Sequence, residues 1–344
     1  MARMAMTVLG PVFPDRLGVT LPHEHILIDL RCWWVDPPEA SLKAVARQPV
    51  SLANLGVLRR EPFISQDNLV LLDPELALQE VRMFKRAGGR TITDVTNLGI
   101  GRDPLVLKGI AIETGLNIIM GSGYYIAASH PPEIDQKTVE EIEEEIVRDV
   151  TEGAGDTGIR AGIIGEIGTS YPITDNEVKS LRAAARAQKR TGAPLTVHPY
   201  PWAKEGLTIL DILMEDGADL SRVVMSHMNP TLYDPDYHRA IVRRGTYVEY
   251  DLMGMEFYGD SSGLSTPRDT ESLTAIRRLI SDGHLGQILM SHDVCLKMQL
   301  TAYGGWGYAH ILNHIVPMLK KEGVTEEQIN TILVENPRRV LTFA

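Results

Sequence analysis

Two histidines flank a glutamate in Gly18–Leu30, GVTLPHEHILIDL, directly after an apolar, β-prone run. Alternate residues of a strand face the same side, so His23 and His25 are set to aim both imidazoles at one point. Two neutral imidazoles converging in this way are metal ligands, and little else requires the arrangement. Candidates for the missing ligands end four further β-like runs. Glu166 sits inside the apolar AGIIGEIG, His198 ends APLTVHPY, His227 ends RVVMSHMN, and His292 with Asp293 ends QILMSHDVC. A carboxylate among isoleucines and glycines is costly unless it is paired or bound to a cation. His23, His25, His198 and His227 with Glu166 and Asp293 are too many donors for one tetrahedral zinc that keeps a water. The count predicts two divalent ions sharing Glu166, one held by His23, His25 and Asp293, the other by His198 and His227. Imidazole and carboxylate donors suit zinc first, with manganese or cobalt as alternatives. Such a pair shares a hydroxide whose parent water is acidified towards neutrality, which is the nucleophile of a hydrolase.

These residues need a frame that brings them together. β-like runs are read at Gly18–Ile28, Thr91–Thr96, Asn117–Gly121, Ala161–Ile167, Pro194–His198, Arg222–His227, Thr246–Tyr250 and Gln287–Ser291. Helical patterns lie between them, among them Pro74–Ala87, Thr138–Glu152, Asp175–Thr191 and Ser272–Asp282. Asp73 before Pro74, and Thr174 three residues ahead of Glu177, are helix-start signals. This alternation predicts an α/β fold, a (β/α)8 TIM barrel spanning 1–344 as one domain, whose strand C-termini meet at a single mouth. The rival is an open doubly wound sheet, which needs a glycine-rich phosphate turn after its first strand, where LPHEH stands instead. The stretch 31–72, with Trp33 and Trp34 and the run Asp36-Pro-Pro38, separates strand one from its helix. A loop of that length in a compact domain is usually functional, so it is expected over the active-site face.

Composition narrows the partners. The chain of 344 residues carries a net charge of −11 with both signs interspersed, which disfavours nucleic acid. Cys32 and Cys295 are the only cysteines, so a disulfide framework is not expected and a reducing, cytoplasmic setting is. The opening MARMAMTVLGPVFPD lacks the apolar core of a secretory signal, and no apolar run is long enough to span a membrane. The expected partner is a small-molecule substrate.

With LPHEH at 21–25, ITDVTNLGIGRDP, DTGIRAGIIGEIGTS, AAARAQKRTGAPLTVH, RVVMSHMN, the SHD of strand eight and LVENPRRVL in order along the chain, the sequence resembles the phosphotriesterase family of the amidohydrolase superfamily. The resemblance implies a binuclear metal hydrolase on a (β/α)8 barrel and a homodimer, with His23, His25 and Asp293 on the more buried ion and His198 and His227 on the more exposed one. Where the family's phosphotriesterases and lactonases carry a carboxylated lysine, this chain has Glu166. That departure implies metal binding independent of carbon dioxide, and it weakens any transfer of organophosphate or lactone activity. SHDVCLKMQLTAYGGWGYAHILNHIVPML resembles a subgroup that includes hydrolases of N-acyl amino compounds such as N-acetyltaurine.

The expected function is therefore hydrolysis of a small amide or ester, with a phosphoesterase or lactonase, and a metal-bearing binding protein, as alternatives. Asp293 is the expected catalytic base, with His227 or His292 able to relay its proton, or His292 packing behind strand eight. Tyr124 and Tyr125 after strand three, Tyr250–Met255 after strand seven, and Tyr303 are expected near the mouth; the family resemblance makes Tyr125 an aromatic wall. Arg31 and Lys297 are candidate clamps for an anionic group. His310 and His314, a turn apart, lack a metalloprotease glutamate and are not expected to bind metal. His238 and His284 are expected at the surface, His130 could overhang the pocket, and Cys295 is expected to be a small apolar filler.

Overall fold

The β-like runs are rich in Ile, Val and Leu on both sides, the pattern of strands buried on both faces, and each forms a short parallel strand. In the computed structural model, which describes residues 3–37, 39–259 and 262–344, these are β1 (Thr20–Glu24), β2 (Thr91–Asp94), β3 (Asn117–Met120), β4 (Ile164–Gly168), β5 (Leu195–His198), β6 (Val223–Met225), β7 (Tyr247–Tyr250) and β8 (Ile288–Met290). β1-β2-β3 form one parallel ladder and β4 to β8 another. Two seams close them into the barrel. Between β3 and β4, Ser122 and Gly165 exchange backbone hydrogen bonds at 2.6 and 3.1 Å. A Cβ on Gly121 would lie 2.2 Å from the Gly165 oxygen, so glycine alone allows that approach. Between β8 and β1, the Glu24 carboxylate accepts from the Ser291 hydroxyl, His292 Nδ1 and the backbone N–H groups of His292 and Val294, all within 2.7–2.9 Å. The middle residue of HEH thus points away from its neighbours and fastens the barrel.

Helices α1 (Pro74–Arg86), α2 (Pro104–Thr114), α3 (Val139–Thr151), α4 (Asp175–Thr191), α5 (Gly206–Glu215), α6 (Pro235–Arg243) and α7 (Asp269–Ser281) link successive strands. Asp73 caps α1 by accepting from Glu75 and Leu76, and Thr174 with Glu177 closes the expected capping box on α4. β1 is shorter than its expected Gly18–Ile28. Past Glu24 the chain leaves the ladder, and the Ile26 N–H bonds instead to Asp94 Oδ2 at 2.7 Å. The 31–72 insertion departs and returns through a two-residue antiparallel ladder, Ile28–Asp29 with Val70–Leu71. It carries two short helices, Ala40–Ala46 and Leu55–Leu58, the second anchored by buried Leu55 and Leu58. Pro38 of the DPP run lies outside the described residues.

His238 is not at the surface. It is buried in α6, where the Tyr250 hydroxyl bonds its Nδ1 at 2.8 Å and Thr231 Oγ1 lies 3.0 Å from Nε2. The Thr231 hydroxyl donates to the Met228 carbonyl, so Nε2 carries the proton and Nδ1 is an acceptor. Burial lowers this imidazole to about 4, so the unfolded chain takes up its proton first as pH falls. Stability from this site is therefore present above about pH 6.5 and drains away between there and about 4, by roughly 3 kcal/mol. Chemical unfolding across that range should show this slope in the parent protein and a shallower one in His238→Gln; equal slopes would remove His238 as its source.

Candidate metal centre

Strand ends bring the predicted donors together. His23 and His25 close β1, Glu166 lies within β4, His198 ends β5, and His227 and Asp293 follow β6 and β8. Glu166 occupies the middle. Its Oε1 is 3.2 Å from His25 Nε2, and its Oε2 lies 3.3, 3.2 and 3.6 Å from His23 Nε2, His198 Nδ1 and His227 Nε2. Asp293 Oδ1 is 3.2 Å from His25 Nε2 and 3.8 Å from His23 Nε2. These separations match the edge of a tetrahedron about an ion with ligands at about 2.1 Å, which is about 3.4 Å. All six side chains are buried. Among the described residues, His227 (φ 55°) and Asp293 (φ 50°) are the non-glycine residues in the left-handed region. That conformation costs about 1–3 kcal/mol each and persists where surrounding structure enforces it, often at functional sites.

The hydrogen bonds behind the cage set the tautomers. Thr96 Oγ1 donates to the Leu27 carbonyl, so it accepts from His25 Nδ1 at 2.8 Å. Ser226 Oγ donates to Glu249 and accepts from His23 Nδ1 at 3.1 Å. Asp251 accepts from both Nδ1 and the backbone N–H of His227, at 3.1 and 3.0 Å. In all three imidazoles Nδ1 donates outward and Nε2 faces Glu166, the position where a cation can take the place of a proton. His23 Nε2 is buried with no hydrogen-bond partner, and His227 Nε2 lies only 2.6 Å from His198 Nδ1. Crowded lone pairs of this kind are stable when a cation sits among them.

The electrostatics agree. Burial opposes charge on these rings, yet the carboxylates outweigh it: His25 is lifted to about 9 by Asp293 and Glu166, His227 to about 10 by Asp251 and Glu166, and His23 well above its ordinary value by Glu166. His198 moves down, through burial and the nearby charge of His227. Burial works against the ionised forms of Glu166 and Asp293, but the surrounding imidazoles hold both below the carboxylate range. The cage is an anionic hollow that draws positive charge, and divalent ions fit its donors.

A pocket opens above it, lined by Trp33 and Phe63 of the insertion, Tyr125, Trp202, Met255 and Cys295 among others. Burial raises the Cys295 thiol well above its usual range, in keeping with a filler rather than a nucleophile. Tyr125 Oη lies 3.3 Å from His198 Nε2 and accepts from Trp33 Nε1 at 3.0 Å. Of the other expected contacts, Leu252 and Met255 of the 250–255 stretch line this pocket, whereas Tyr124, Arg31, Lys297 and Tyr303 do not. Tyr124 turns to Glu145 and Lys137, at 2.6 and 2.9 Å. Arg31 is half exposed and forks onto Asp29 at 2.5 and 2.8 Å. Lys297 is bound to Asp67 of the insertion at 2.5 Å and lines a separate groove with Tyr303. His292 does not face the cage: Nδ1 faces Glu24 at 2.7 Å and Nε2 accepts from Ile311 N–H at 3.0 Å, so both nitrogens are engaged behind β8. His130 backs the Tyr125 carbonyl at 2.8 Å. His310 pairs with Asp269 at 2.7 Å, away from the cage.

Asp251, Ser226, Thr96 and Glu249, which orient the imidazoles, were not singled out in the sequence. Asp251 ends β7 as the other acids end their strands, and the same rule reaches it; the hydroxyls carry no such mark.

A (β/α)8 barrel with a histidine–carboxylate cage at its strand C-termini defines an amidohydrolase-type, metal-dependent hydrolase. The phosphotriesterase family model matches residues 4–341, and the chain belongs to that family. It is 41% identical over 340 residues to the N-acetyltaurine hydrolase of Xenopus tropicalis, covering 98% of this chain and 97% of that one. It is 41% identical to a phosphotriesterase-related protein of Nematostella vectensis, covering 99% of each. A crystal structure of a resiniferatoxin-binding protein from Rhodobacter sphaeroides superposes with a TM-score of 0.97 at 45% identity, over 99% of this chain and 95% of that one. No helix among the described residues is long and apolar enough to cross a membrane.

Asp251→Ala should weaken metal retention by about 10- to 100-fold, read as ions per chain after equilibration against a graded chelator. Retention equal to the parent's would show that Asp251 does not orient the ligands. Metal content of the parent should also be indifferent to added bicarbonate, since Glu166 carries its own carboxylate.

Proposed function

We propose that this protein hydrolyses small carboxylic amides or esters, using two zinc ions held by His23, His25, Glu166, His198, His227 and Asp293. The single observation that carries the reading is the Glu166 carboxylate standing between two histidine pairs, with Asp293 beside it, on the floor of an apolar pocket. Zinc is favoured over manganese and cobalt by the imidazole-rich donor set. A bound pair supplies Lewis acidity, which polarises the acyl oxygen and makes water a nucleophile at neutral pH.

The chain's own residues do the rest. Asp293, ionised and 3.2 Å from His25, takes the proton of the attacking water as the bond to the acyl carbon forms. It returns that proton to the departing nitrogen or oxygen as the old bond breaks, so atoms and charge balance. Tyr125 Oη, against His198, borders the space where the acyl group lies. Trp33 and Phe63 exclude bulk water, which strengthens each electrostatic contact beneath them. A homodimer in the cytoplasm completes the reading: family resemblance supports the first, and two unpaired cysteines, Cys32 and Cys295, support the second.

Zinc-loaded protein assayed against N-acyl amino compounds, simple esters, lactones and aryl phosphotriesters should turn over the amides or esters best. A preference confined to phosphotriesters would overturn the assignment. Asp293→Asn should lower kcat by about 10²- to 10⁴-fold while most of the metal stays bound, checked by steady-state kinetics alongside elemental analysis. Full turnover by this variant would remove Asp293 from the proton transfer.

A further inference from the structure

The wall of the pocket states what kind of group it takes. Beyond the donor cage, the lining side chains include Leu30, Trp33, Phe63, Trp202 and Met255, and no lysine or arginine is among them. The cations nearest in the chain to this wall are spent elsewhere, Arg31 on Asp29 and Lys297 on Asp67. Three polar groups of the wall are spent too. Trp33 Nε1 donates to Tyr125 Oη at 3.0 Å, Trp202 Nε1 donates to the Ser265 carbonyl at 2.7 Å, and the Thr266 hydroxyl donates to the Met255 carbonyl. A sulfonate or carboxylate entering here would lose its water and find no cation in return, and little beyond the Tyr125 hydroxyl to donate to it. The cage offers it little, because Glu166, Asp251 and Asp293 offset most of the charge of a divalent pair.

The rings, by contrast, form a packed array of edge-to-face and tilted contacts. Trp33 stands 5.7 Å from Phe63 and 6.3 Å from Trp202, and Trp33 and Trp202 are inclined at 69° to one another. Trp33 is also 6.1 Å from His198, which ties this array to the donor cage. A flat ring extends such an array by stacking on an exposed ring face or meeting one edge-on.

We infer that the substrate carries an uncharged arene, rather than an anionic group, on the part that fills this pocket. The inference rests on the amide or ester hydrolysis proposed above. It separates this chain from an enzyme built for a sulfonated or carboxylated amide, although it shares the cage with such enzymes. Two of the three rings of this array, Trp33 and Phe63, come from the insertion, which assigns that segment to substrate selection.

The test is a matched pair. N-(2-phenylethyl)acetamide and N-acetyltaurine share the acetamidoethyl unit and differ only in phenyl against sulfonate. With zinc-loaded protein, kcat/KM for the phenyl compound should exceed that for the sulfonate at least 100-fold, and Phe63→Arg should shrink that ratio at least tenfold. Equal or better hydrolysis of N-acetyltaurine by the parent would overturn the inference and leave the hydrolase reading intact. If neither amide nor any simple ester is turned over, the hydrolase reading fails, and quenching of tryptophan fluorescence then decides the inference by itself. Tighter binding of the phenyl compound by at least 100-fold upholds it; absent binding, or a preference for the sulfonate, overturns it.

Discussion

Glu166 is a carboxylate at 1% exposure inside a strand of isoleucines and glycines, and the rest of the active-site architecture answers the cost of putting it there. An isolated buried carboxylate is removed by protonation, at a price of several kcal/mol when it must stay ionised. Here three imidazole nitrogens surround Oε2 and a fourth meets Oε1, and together they hold Glu166 well below its ordinary range. The same rings would repel one another if all were charged. Their Nδ1 protons are committed outward to Thr96, Ser226 and Asp251, so the inward nitrogens are where a cation exchanges for a proton. A cage of inward lone pairs and carboxylates is a demand for cations, which connects the burial of one side chain to the metal dependence of the family.

Holding that cage needs rigidity on both sides. Underneath, the barrel is fastened at the β8–β1 seam by Glu24 and at the β3–β4 seam by the close approach of Gly121 to Gly165. These are the seams on either side of the strands that carry His23, Glu166 and Asp293, so slack there would move the donors directly. Above, the left-handed backbone at His227 and Asp293 turns both side chains inward just where β6 and β8 end. Among the described residues, left-handed non-glycine backbone is thus confined to two residues that face the cage.

The insertion acts on the substrate side. Lys297 and Asp67 join it to the loop after β8, and the Leu30–Leu69 and Asp29–Val70 contacts fix its root. The pairing removes a cation from the mouth and steadies Trp33 and Phe63 as wall residues. One ion pair therefore ties the insertion to the loop after β8 and occupies the Lys297 ammonium.

Much of the site could be read without a structure, and the reason is geometric. Strand periodicity and the convergence of C-terminal strand ends in a barrel act on residue type alone, so HEH, GEIG, TVH, MSH and SHD could be assigned to one mouth from order along the chain. The alternation of strands and helices and the length of the 31–72 segment were legible for the same reason. Direction and pairing were not. Whether His292 faces the cage or Glu24, whether Lys297 is free or bound to Asp67, and whether Tyr124 or Tyr125 reaches the pocket depend on neighbours supplied by distant segments. His238 looked like a surface residue because its partner Tyr250 lies on another element, and only packing brings the two together. Local pattern decides which chemistry a chain can hold; the folded neighbourhood decides which of its groups remain available to perform it, since a side chain already satisfied by a partner has no capacity left for substrate.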